Sequence, residues 1–576
     1  MSESARVAYF SMEIALESSI PTYSGGLGVL AGDTLRSAAD LCIPMVAVSL
    51  VHRRGYFLQQ LDPATGQQVE APADWPVERL LEPVAARVAV EVEGREVVLR
   101  AWRYRVEGVR GAAVPVYLLD AALPENAEPD RALTDALYGG DGRYRLAQEI
   151  VLGIGGLRML RAIGYGSIRR FHLNEGHAAL VGLALLDERL ARTRAAPTLR
   201  DLATVRSQCV FTTHTPVPAG HDVFPGHLVE RSLGATARKR LALLGQEDVL
   251  NMTDLALQTA HFVNGVAMRH GEVSRSMFPA HPIRSITNGI HTTTWATPAL
   301  ASLFDRAIPS WRRDPLALRD AIRIPLAELR EAHAEARRAL IARVERETDA
   351  GFREDCFTIG FARRATAYKR PTLIFHDLER LASIAREHGA LQLVFAGKAH
   401  PRDEEGKARI REIFGMRERL RGRVRVAYLE GYDMDLGRLV CGGCDLWLNT
   451  PIPPLEASGT SGMKAALNGV PSLSILDGWW LEGHVEGVTG WSIGDDEGPS
   501  PPATFVDRDA VHADALYAKL ADVVLPCFYA TPDRYLETMR SAIQLNGSFF
   551  NTQRMLSQYL YEAYFATARR PRGETF

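Results

Sequence analysis

Apolar runs alternate with amphipathic stretches along the first half of the chain. "RVAYFSMEIAL" at 6–16 and "PMVAVSLV" at 44–51 are typical of buried strands. Between them, the glycine-rich turn "YSGGLGVLAGD" leads into a helical run that continues to about Leu41. "CVFTTHTPVP" and "IRSITNGIH" each resemble a strand that ends in a polar turn. Alternating strands and helices predict parallel sheets flanked by helices.

The alternation is clearer in the second half, where the strand candidates are "FTIGFA", "LQLVFAG", "VRVAYLE", "DLWLNTP" and "PSLSIL". The pattern is interrupted near 290–315. We therefore predict an α/β protein with two doubly wound, Rossmann-like domains, residues 1–300 and 301–545. A C-terminal helical segment, 546–576, is expected to pack back on the first domain. Ligands of such folds bind beyond the carboxyl ends of the strands, so the cleft between the domains is the expected active site.

Composition narrows the class of protein. A net charge of −2 over 576 residues argues against a nucleic-acid or membrane-surface role. The sequence contains neither a secretory signal nor an apolar run long enough to span a bilayer. Of six cysteines, Cys441 and Cys444 in "CGGC" have redox or zinc spacing, but no second ligand pair accompanies them. Two ordinary thiols in a reducing cytoplasm are the simpler interpretation.

Lysine is rare in this chain: only six of its 67 basic residues are lysines. One of them, Lys464, lies in "PLEASGTSGMKAALNG", a Ser/Gly/Thr loop that is predicted to open a helix. A cation at a helix N-terminus is mildly unfavourable. Lysine, unlike arginine, can form a Schiff base with an aldehyde, which is one reason to retain it there.

Two further motifs indicate bound anions. In "GGLGVLA", Gly26, Gly28 and Ala31 fit a dinucleotide-binding turn, but His52 and the arginines after it replace the expected acidic residue, which argues against NAD and leaves NADP as an alternative. A phosphate at this helix start needs no acid, and close helix–strand packing is the alternative. In "GFARRATAYKRP", four cations follow a strand and suggest one or more phosphate-like dianions, with a solvated basic loop as the alternative: Arg363, Arg364, Lys369 and Arg370.

Three predicted strand ends carry amide, carboxylate and imidazole groups. They are "HLNEGH" with Asn174, Glu175 and His177, "FTTHTP" with His214, and "TNGIH" with Asn288 and His291. A lone histidine is more often structural, but together these groups suit a sugar-hydroxyl site. We find no Ser-His-Asp arrangement, no metal-ligand motif and no recognisable glycosidase carboxylate pair. The chemistry should therefore depend on bound anions.

The motifs resemble the α-glucan (glycogen, starch, maltodextrin) phosphorylases. "EASGTSGMK" is similar to the family's pyridoxal-phosphate segment, and "LNEGH", "VNGVA", "TNGI" and "RRATAYKR" follow in family order. The resemblance implies a two-domain, GT-B-type glycosyltransferase fold with pyridoxal 5'-phosphate on Lys464. It also implies reversible phosphorolysis of an α-1,4-glucan by inorganic phosphate, giving α-glucose 1-phosphate with retention of configuration.

By motif position, the resemblance implies a role for each of thirteen residues. Lys464, Arg364, Lys369 and His214 are the expected catalytic group, in which Arg364 and Lys369 hold the substrate phosphate. The cofactor phosphate is expected among Gly26, Arg363, Thr460 and Ser461, with Tyr432 nearby. His214, Asn288 and Glu456 should bind the reacting glucose, and Glu175 and His177 should face the acceptor.

The chain departs from the family's usual pattern at several positions, which concern substrate length and affinity. The departures are Arg363 for lysine, Thr366 and Ala367 before Tyr368, Ser461 and Gly462 in the lysine segment, and Trp479 and Trp480 in place of smaller residues. The first strand begins near residue 6, so we expect no regulation through an N-terminal arm. Members of the family are commonly dimers, which makes a homodimer the expectation.

Two other functions compete with a phosphorylase. A nucleotide-sugar-dependent glucan synthase of the same fold would contain no pyridoxal phosphate and show no cofactor absorbance. A silent glucan-binding protein would bind maltodextrin yet release no glucose 1-phosphate. The presence of Lys464, Arg364 and Lys369 argues against the silent protein.

Overall fold

The computed structural model describes residues 5–193, 197–217, 220–499 and 507–565. Within them, nine strands form one sheet and six form another, in the orders β13-β12-β9-β8-β1-β2-β7-β6-β5 and β16-β15-β14-β17-β18-β19. The strands are β1 Val7–Ser11, β2 Met45–Leu50, β3 Leu58–Leu61, β4 Gln68–Ala71, β5 Glu82–Val92, β6 Arg95–Glu107, β7 Ala113–Asp120, β8 Arg170–Asn174, β9 Cys209–Thr212, β10 Val223–Pro225, β11 Val249–Asn251, β12 Phe262–Gly265, β13 Ile283–Ser285, β14 Phe357–Ala362, β15 Leu391–Ala396, β16 Arg425–Leu429, β17 Leu446–Asn449, β18 Ser472–Ile475 and β19 Gly490–Ile493.

Helices connect most of these strands. They are α1 Gly26–Asp40, α2 Val77–Leu80, α3 Glu128–Arg131, α4 Gly142–Ile150, α5 Gly156–Ala162, α6 Leu180–Thr193, α7 Leu199–Arg206, α8 Gly226–Ala242, α9 Met252–Thr259, α10 Met268–Met277, α11 Thr292–Trp295, α12 Pro298–Ala307, α13 Leu326–Thr348, α14 Leu378–Glu387, α15 Glu404–Arg419, α16 Met434–Gly443, α17 Thr460–Leu467, α18 Trp480–Gly483, α19 Arg508–Lys519, α20 Leu525–Ala530, α21 Pro532–Ser541 and α22 Thr552–Tyr559. None of those described combines the length and the apolar composition needed to cross a membrane.

Both sheets have the predicted parallel centre. Every residue of β1, β2, β14 and β15 is buried, as expected of strands covered by helices on both faces. The second sheet is parallel throughout, and the first is parallel from β13 to β7. The predicted α/β class, with two doubly wound sheets, is confirmed.

One edge of the first sheet differs from that prediction. β5, β6 and β7 pair antiparallel, and β5 and β6 are joined by the two-residue turn Glu93–Gly94. Both turn residues have positive φ, 51° and 72°, which matches the twist of a tight hairpin. The strands alternate between exposed and less exposed positions because one face of this edge is solvated.

The β3–β4 hairpin joins the two sheets on one side. It follows β2 of the first sheet, but Gln59 donates to the carbonyl of Gly397 (2.8 Å) and Gln68 to that of Ala399 (2.9 Å), just beyond β15 of the second sheet. Lys407 adds an ion pair with Glu70 at 3.1 Å. These contacts hold the carboxyl ends of the two sheets opposite each other.

The C-terminal segment makes buried contacts with helix α1 and with the first sheet. The Thr552 and Ser37 hydroxyls lie 2.6 Å apart, and the hydroxyl of Tyr564 meets His172 of β8 at 2.5 Å. Residues 566–576 of the predicted segment lie outside the described residues. Between Trp295 and Phe550, buried apolar side chains pack with the cores around the second sheet, so we retain a division near residue 300 as a proposal.

Candidate active site

A cavity of about 650 Å³ lies between the carboxyl ends of the two sheets. Its size is that of a typical small-molecule site. All thirteen residues singled out from the sequence line it, although they come from seven separate segments: Gly26, Glu175, His177, His214, Asn288, Arg363, Arg364, Lys369, Tyr432, Glu456, Thr460, Ser461 and Lys464. The carboxyl ends of parallel strands lie at the same edge of a sheet, which is why motifs that are distant in the sequence converge.

Lys464 lies one turn inside α17, so the prediction that it sits at the helix start was wrong. The helix begins at Thr460, after Gly459 in the left-handed conformation with φ 92°. The unfavourable feature of Lys464 is therefore burial and not the helix dipole. Its side chain is 4% exposed, and among the described residues its ammonium has no carboxylate partner. Burial lowers the pKa of Lys464.

Trp295 is the nearest aromatic group to the Lys464 amine. Nζ lies 3.5 Å from the centre of the indole ring, and the indole N–H donates to Asp33 at 2.7 Å. A ring face attracts a cation but does not replace a counter-ion. The amine therefore forms no ion pair with a described residue, although the charge of Asp33 partly opposes the effect of burial on its pKa.

Two buried cations from the loop after β14 share one carboxylate. Glu456 accepts from Arg363 Nη2 at 2.6 Å and from Lys369 Nζ at 2.5 Å. Burial opposes ionisation of Glu456, but the two cations outweigh it and hold its pKa at about 2. Burial and the neighbouring Arg363 guanidinium lower the pKa of Lys369 to about 7. The cluster carries one more positive group than negative, so it can accept an anion.

The third cation, Arg364, faces the open cavity. Its guanidinium makes one contact with the hydroxyl of Ser24, at 3.2 Å. A Cβ atom on Gly25 would lie 2.9 Å from Nη2, so glycine allows this close approach. Gly26 borders open space, whereas a Cβ on Gly28 would lie 2.7 Å from Glu13. The glycine motif therefore serves both interpretations: Gly28 permits close packing, and Gly25 and Gly26 leave room beside a cation.

The polar strand ends of the first sheet form a directed hydrogen-bond chain. Ser11 donates to the Glu13 carbonyl at 2.7 Å and accepts from Asn174 Nδ2 at 3.0 Å. The amide oxygen of Asn174 must therefore face His214 Nε2, 2.7 Å away, so that nitrogen carries the proton. Burial lowers the pKa of His214 to about 3. His214 is a neutral imidazole whose Nδ1 is an acceptor.

Glu175 holds the loop that carries His214. Its carboxylate accepts from the His214 N–H at 2.8 Å and from the Thr215 hydroxyl at 3.0 Å, and its own φ is 76°. A non-glycine residue in this conformation is strained and occurs where the surroundings enforce it. Asn288 is also buried, and its side-chain oxygen has no partner in the part of the chain described.

Sequence reasoning missed the residues around His177. Its Nε2 lies 2.8 Å from Arg145 Nη2 and 3.3 Å from Asp222, and the Arg145 guanidinium also stacks on Tyr138 at 4.5 Å. Arg145 lies in the middle of α4, where no local motif marks it. Cys441 and Cys444 are both buried and unpaired in the structure.

Two Rossmann-like sheets facing a cleft with cations on one wall and sugar-type hydrogen-bonding groups on the other define a GT-B-type glycosyltransferase. Comparison with known proteins makes the assignment specific. The family of carbohydrate phosphorylases matches residues 224–486. Glycogen phosphorylase of Mycobacterium tuberculosis (strain ATCC 25618 / H37Rv) is 40% identical over 99% of this chain and 72% of its own length.

Two other relatives agree. Maltodextrin phosphorylase of Thermococcus litoralis is 39% identical over 97% of this chain and 70% of its own length, and glycogen phosphorylase of Aquifex aeolicus is 35% identical over 97% and 86%. The chain therefore belongs to the carbohydrate phosphorylase family.

Proposed function

We propose that this protein is an α-glucan phosphorylase, which transfers the terminal glucose of an α-1,4-glucan to inorganic phosphate and releases α-glucose 1-phosphate. One observation carries the proposal: an unneutralised buried amine, Lys464, lies in the same cleft as Arg363, Arg364 and Lys369. The names of the relatives, glycogen and maltodextrin phosphorylase, support this substrate class.

The cleft fits pyridoxal phosphate. Lys464 presents an amine without a counter-ion, Arg363 Nη1 is buried without a partner in the described chain, and Gly26 leaves open space. The backbone N–H groups at the start of α17, near Thr460 and Ser461, suit a phosphate. When bound, the cofactor supplies a phosphate group that exchanges a proton with the substrate phosphate.

The chain's own residues then have distinct tasks. Arg364 and Lys369 hold the substrate phosphate so that it can protonate the leaving glycosidic oxygen and attack the same face of the sugar. Arg363 offsets the repulsion between two phosphates that lie close together. The hydroxyls of the reacting glucose are oriented by the neutral imidazole of His214, by Asn288 and by the Glu456 carboxylate. The acceptor chain is faced by Glu175 and by His177, which has Arg145 behind it.

The decisive assay supplies maltoheptaose and phosphate to the purified protein. We expect α-glucose 1-phosphate as the product. The protein should also show the absorbance band of a bound cofactor, and acid should release that cofactor as free pyridoxal phosphate. Glucose transfer from a nucleotide sugar by a colourless protein would instead establish a glucan synthase. Binding of maltoheptaose without product would establish a silent binding protein.

Anion binding should depend on the charge of Lys369. Sulfate, which does not itself titrate near neutrality, should bind more weakly as the pH rises above about 7, because the protonated amine is lost there. One linked proton weakens binding by about tenfold per pH unit above that pKa. Titration of the protein with sulfate at pH 6 to 9 measures this.

The matched control is Lys369→Arg, because a guanidinium stays charged throughout this range. Its sulfate affinity should change little with pH. An equal pH slope in the wild type and the arginine variant would exclude Lys369 as the titrating group.

The wider setting follows from the same reasoning. All six cysteines are unpaired in the structure, which supports a reducing, cytoplasmic location. A homodimer remains our expectation from the family and is tested by light scattering of the purified protein.

A further inference from the structure

The turn Asp477–Trp479, after β18, lies against the loop Glu456–Gly459. Asp477 Oδ2 accepts from the Glu456 N–H at 2.9 Å, and the Trp479 N–H donates to the Ser458 carbonyl at 2.8 Å. The other carboxylate oxygen of Asp477 accepts from the Gly478 N–H at 2.8 Å. Asp477 is 1% exposed, so both bonds are shielded from water.

Backbone approach between the turn and the loop is unusually close. Gly478 has φ 55°, and a Cβ atom placed on it would lie 2.5 Å from the Ser458 carbonyl oxygen. Only glycine combines this conformation with this distance. The turn therefore packs closely against the main chain of the loop and constrains its position.

Trp479 of the same turn also packs against α17, the helix that carries Lys464. A Cβ atom on Gly462 would lie 2.8 Å from Cζ2 of the indole, and one on Gly459 would lie 3.3 Å from Cδ1. The ring is 1% exposed and packs edge-on against Phe550, with ring centres 4.9 Å apart. It cannot retreat without disturbing that contact.

The glycine at 462 is explained by this ring. Gly462 is inside the helix and has no positive φ, so its backbone does not require glycine. Alanine is the better helix former at such a position. Gly462 and Trp479 both depart from the usual family pattern, and the structure shows that they are complementary in volume.

We propose that Asp477 and Trp479 are positioning residues of the active site. Asp477 fixes the main chain of Glu456, the residue that holds Arg363 and Lys369, and Trp479 fixes the first turn of the helix that presents Lys464. This inference rests on the proposed function for its ligands. It goes beyond that function because one turn, Asp477–Trp479, is assigned the positioning of both the Glu456 loop and the helix that carries Lys464.

The test is a double-mutant cycle with Gly462→Ala and Trp479→Phe, because phenylalanine lacks the Nε1 and Cζ2 atoms that face Gly462. Gly462→Ala alone should weaken pyridoxal-phosphate binding to the apoenzyme at least tenfold and lower the apoenzyme Tm. In the Trp479→Phe background the same substitution should cost less than threefold. Equal losses in both backgrounds would overturn the role of Trp479.

Gly415→Ala is the matched control. Gly415 is also in a helix, α15, but it is exposed and has no atom within 4 Å of an added Cβ. This change should leave cofactor affinity unaltered and raise the Tm slightly. A loss like that of Gly462→Ala would mean that alanine in a helix, and not the indole, is responsible.

Asp477→Asn tests the contact between the Asp477 carboxylate and the main chain of the Glu456 loop. The amide keeps one acceptor oxygen and presents an N–H₂ to the second backbone N–H, so the Glu456 loop should shift while α17 stays in place. We expect KM for maltoheptaose to rise at least tenfold with cofactor affinity within twofold of wild type. Unchanged KM would refute the role of Asp477.

The apoenzyme Tm values separate this inference from the proposed function. If the wild type bound no pyridoxal phosphate, the proposed function would fail, but the Tm values of the four cycle proteins would still show whether Gly462 and Trp479 are coupled. Additive Tm changes would refute the inference even in an active phosphorylase.

Discussion

Replacement of Lys464 by alanine is expected to abolish cofactor retention and to reduce phosphorolysis by more than a thousandfold. The amine combines burial, a position against the face of Trp295 and the absence of an ion pair within the described chain. Only lysine can attach covalently to an aldehyde, so Lys464→Arg should lose the cofactor as well. Absorbance of the purified variants and assay of acid-released pyridoxal phosphate measure the loss.

Lys398→Met is the matched control, because Lys398 is another lysine of the same cavity. Its ammonium already has a partner, the Phe57 carbonyl at 3.0 Å, and lies against the hairpin contact instead of α17. This variant should retain the cofactor. Full cofactor content in Lys464→Ala would remove the basis of the proposed function.

Stability gives a second readout for the same lysine. Burying an ammonium without a partner costs free energy, which is the reason that the pKa of Lys464 is lowered. Lys464→Met should therefore raise the Tm of the apoenzyme, although it prevents cofactor binding. A fall in Tm would show that the amine has a stabilising partner in solution.

Glu456→Gln should destabilise the ligand-free protein by about 3 kcal/mol, because it leaves two buried cations without their shared carboxylate. The loss falls at the lower end of the range for broken buried pairs, since Lys369 can release its proton. Phosphate should then act as a replacement anion. We expect it to raise the Tm of the variant more than that of the wild type.

Thermal unfolding with and without phosphate measures both effects. Glu482→Gln is the control: Glu482 is a half-buried carboxylate of α18 that accepts from the Met268 N–H and the Thr287 hydroxyl. It has no ion pair within the described structure, so its Tm response to phosphate should equal that of the wild type. An equal response in Glu456→Gln would contradict an anion site at Arg363 and Lys369.

These experiments also test whether phosphates compete with Glu456 for Arg363 and Lys369. In the structure Glu456 accepts from both Arg363 and Lys369, whereas the proposed reaction assigns Glu456 to glucose and the cations to phosphates. Binding of phosphates would compete with Glu456 for the same cations, which frees the carboxylate for sugar hydroxyls. Under the proposed function, the sugar and phosphate sites would thus be linked through one shared ion cluster.

The strand predictions show how far local pattern reaches. "FTIGFA" and "PMVAVSLV" were identified because a fully buried parallel strand is apolar at every position. The antiparallel edge of β5 and β6 was missed, since its alternation is weaker and its turn, Glu93–Gly94, is short. The position of Lys464 within α17 was also misjudged, because the helix start depends on the left-handed Gly459.

The sequence by itself determined the α/β class, many of the buried parallel strands and the residue types that carry the chemistry, because these depend on periodicity and on motifs within a few residues. Only the tertiary structure decided that Glu456 pairs with both Arg363 and Lys369, that Lys464 is buried without an ion pair to any described residue, and that Trp479 occupies the space beside Gly462. These features depend on distances between segments that are remote in the chain, and pairing and burial set the charge and position of each group there.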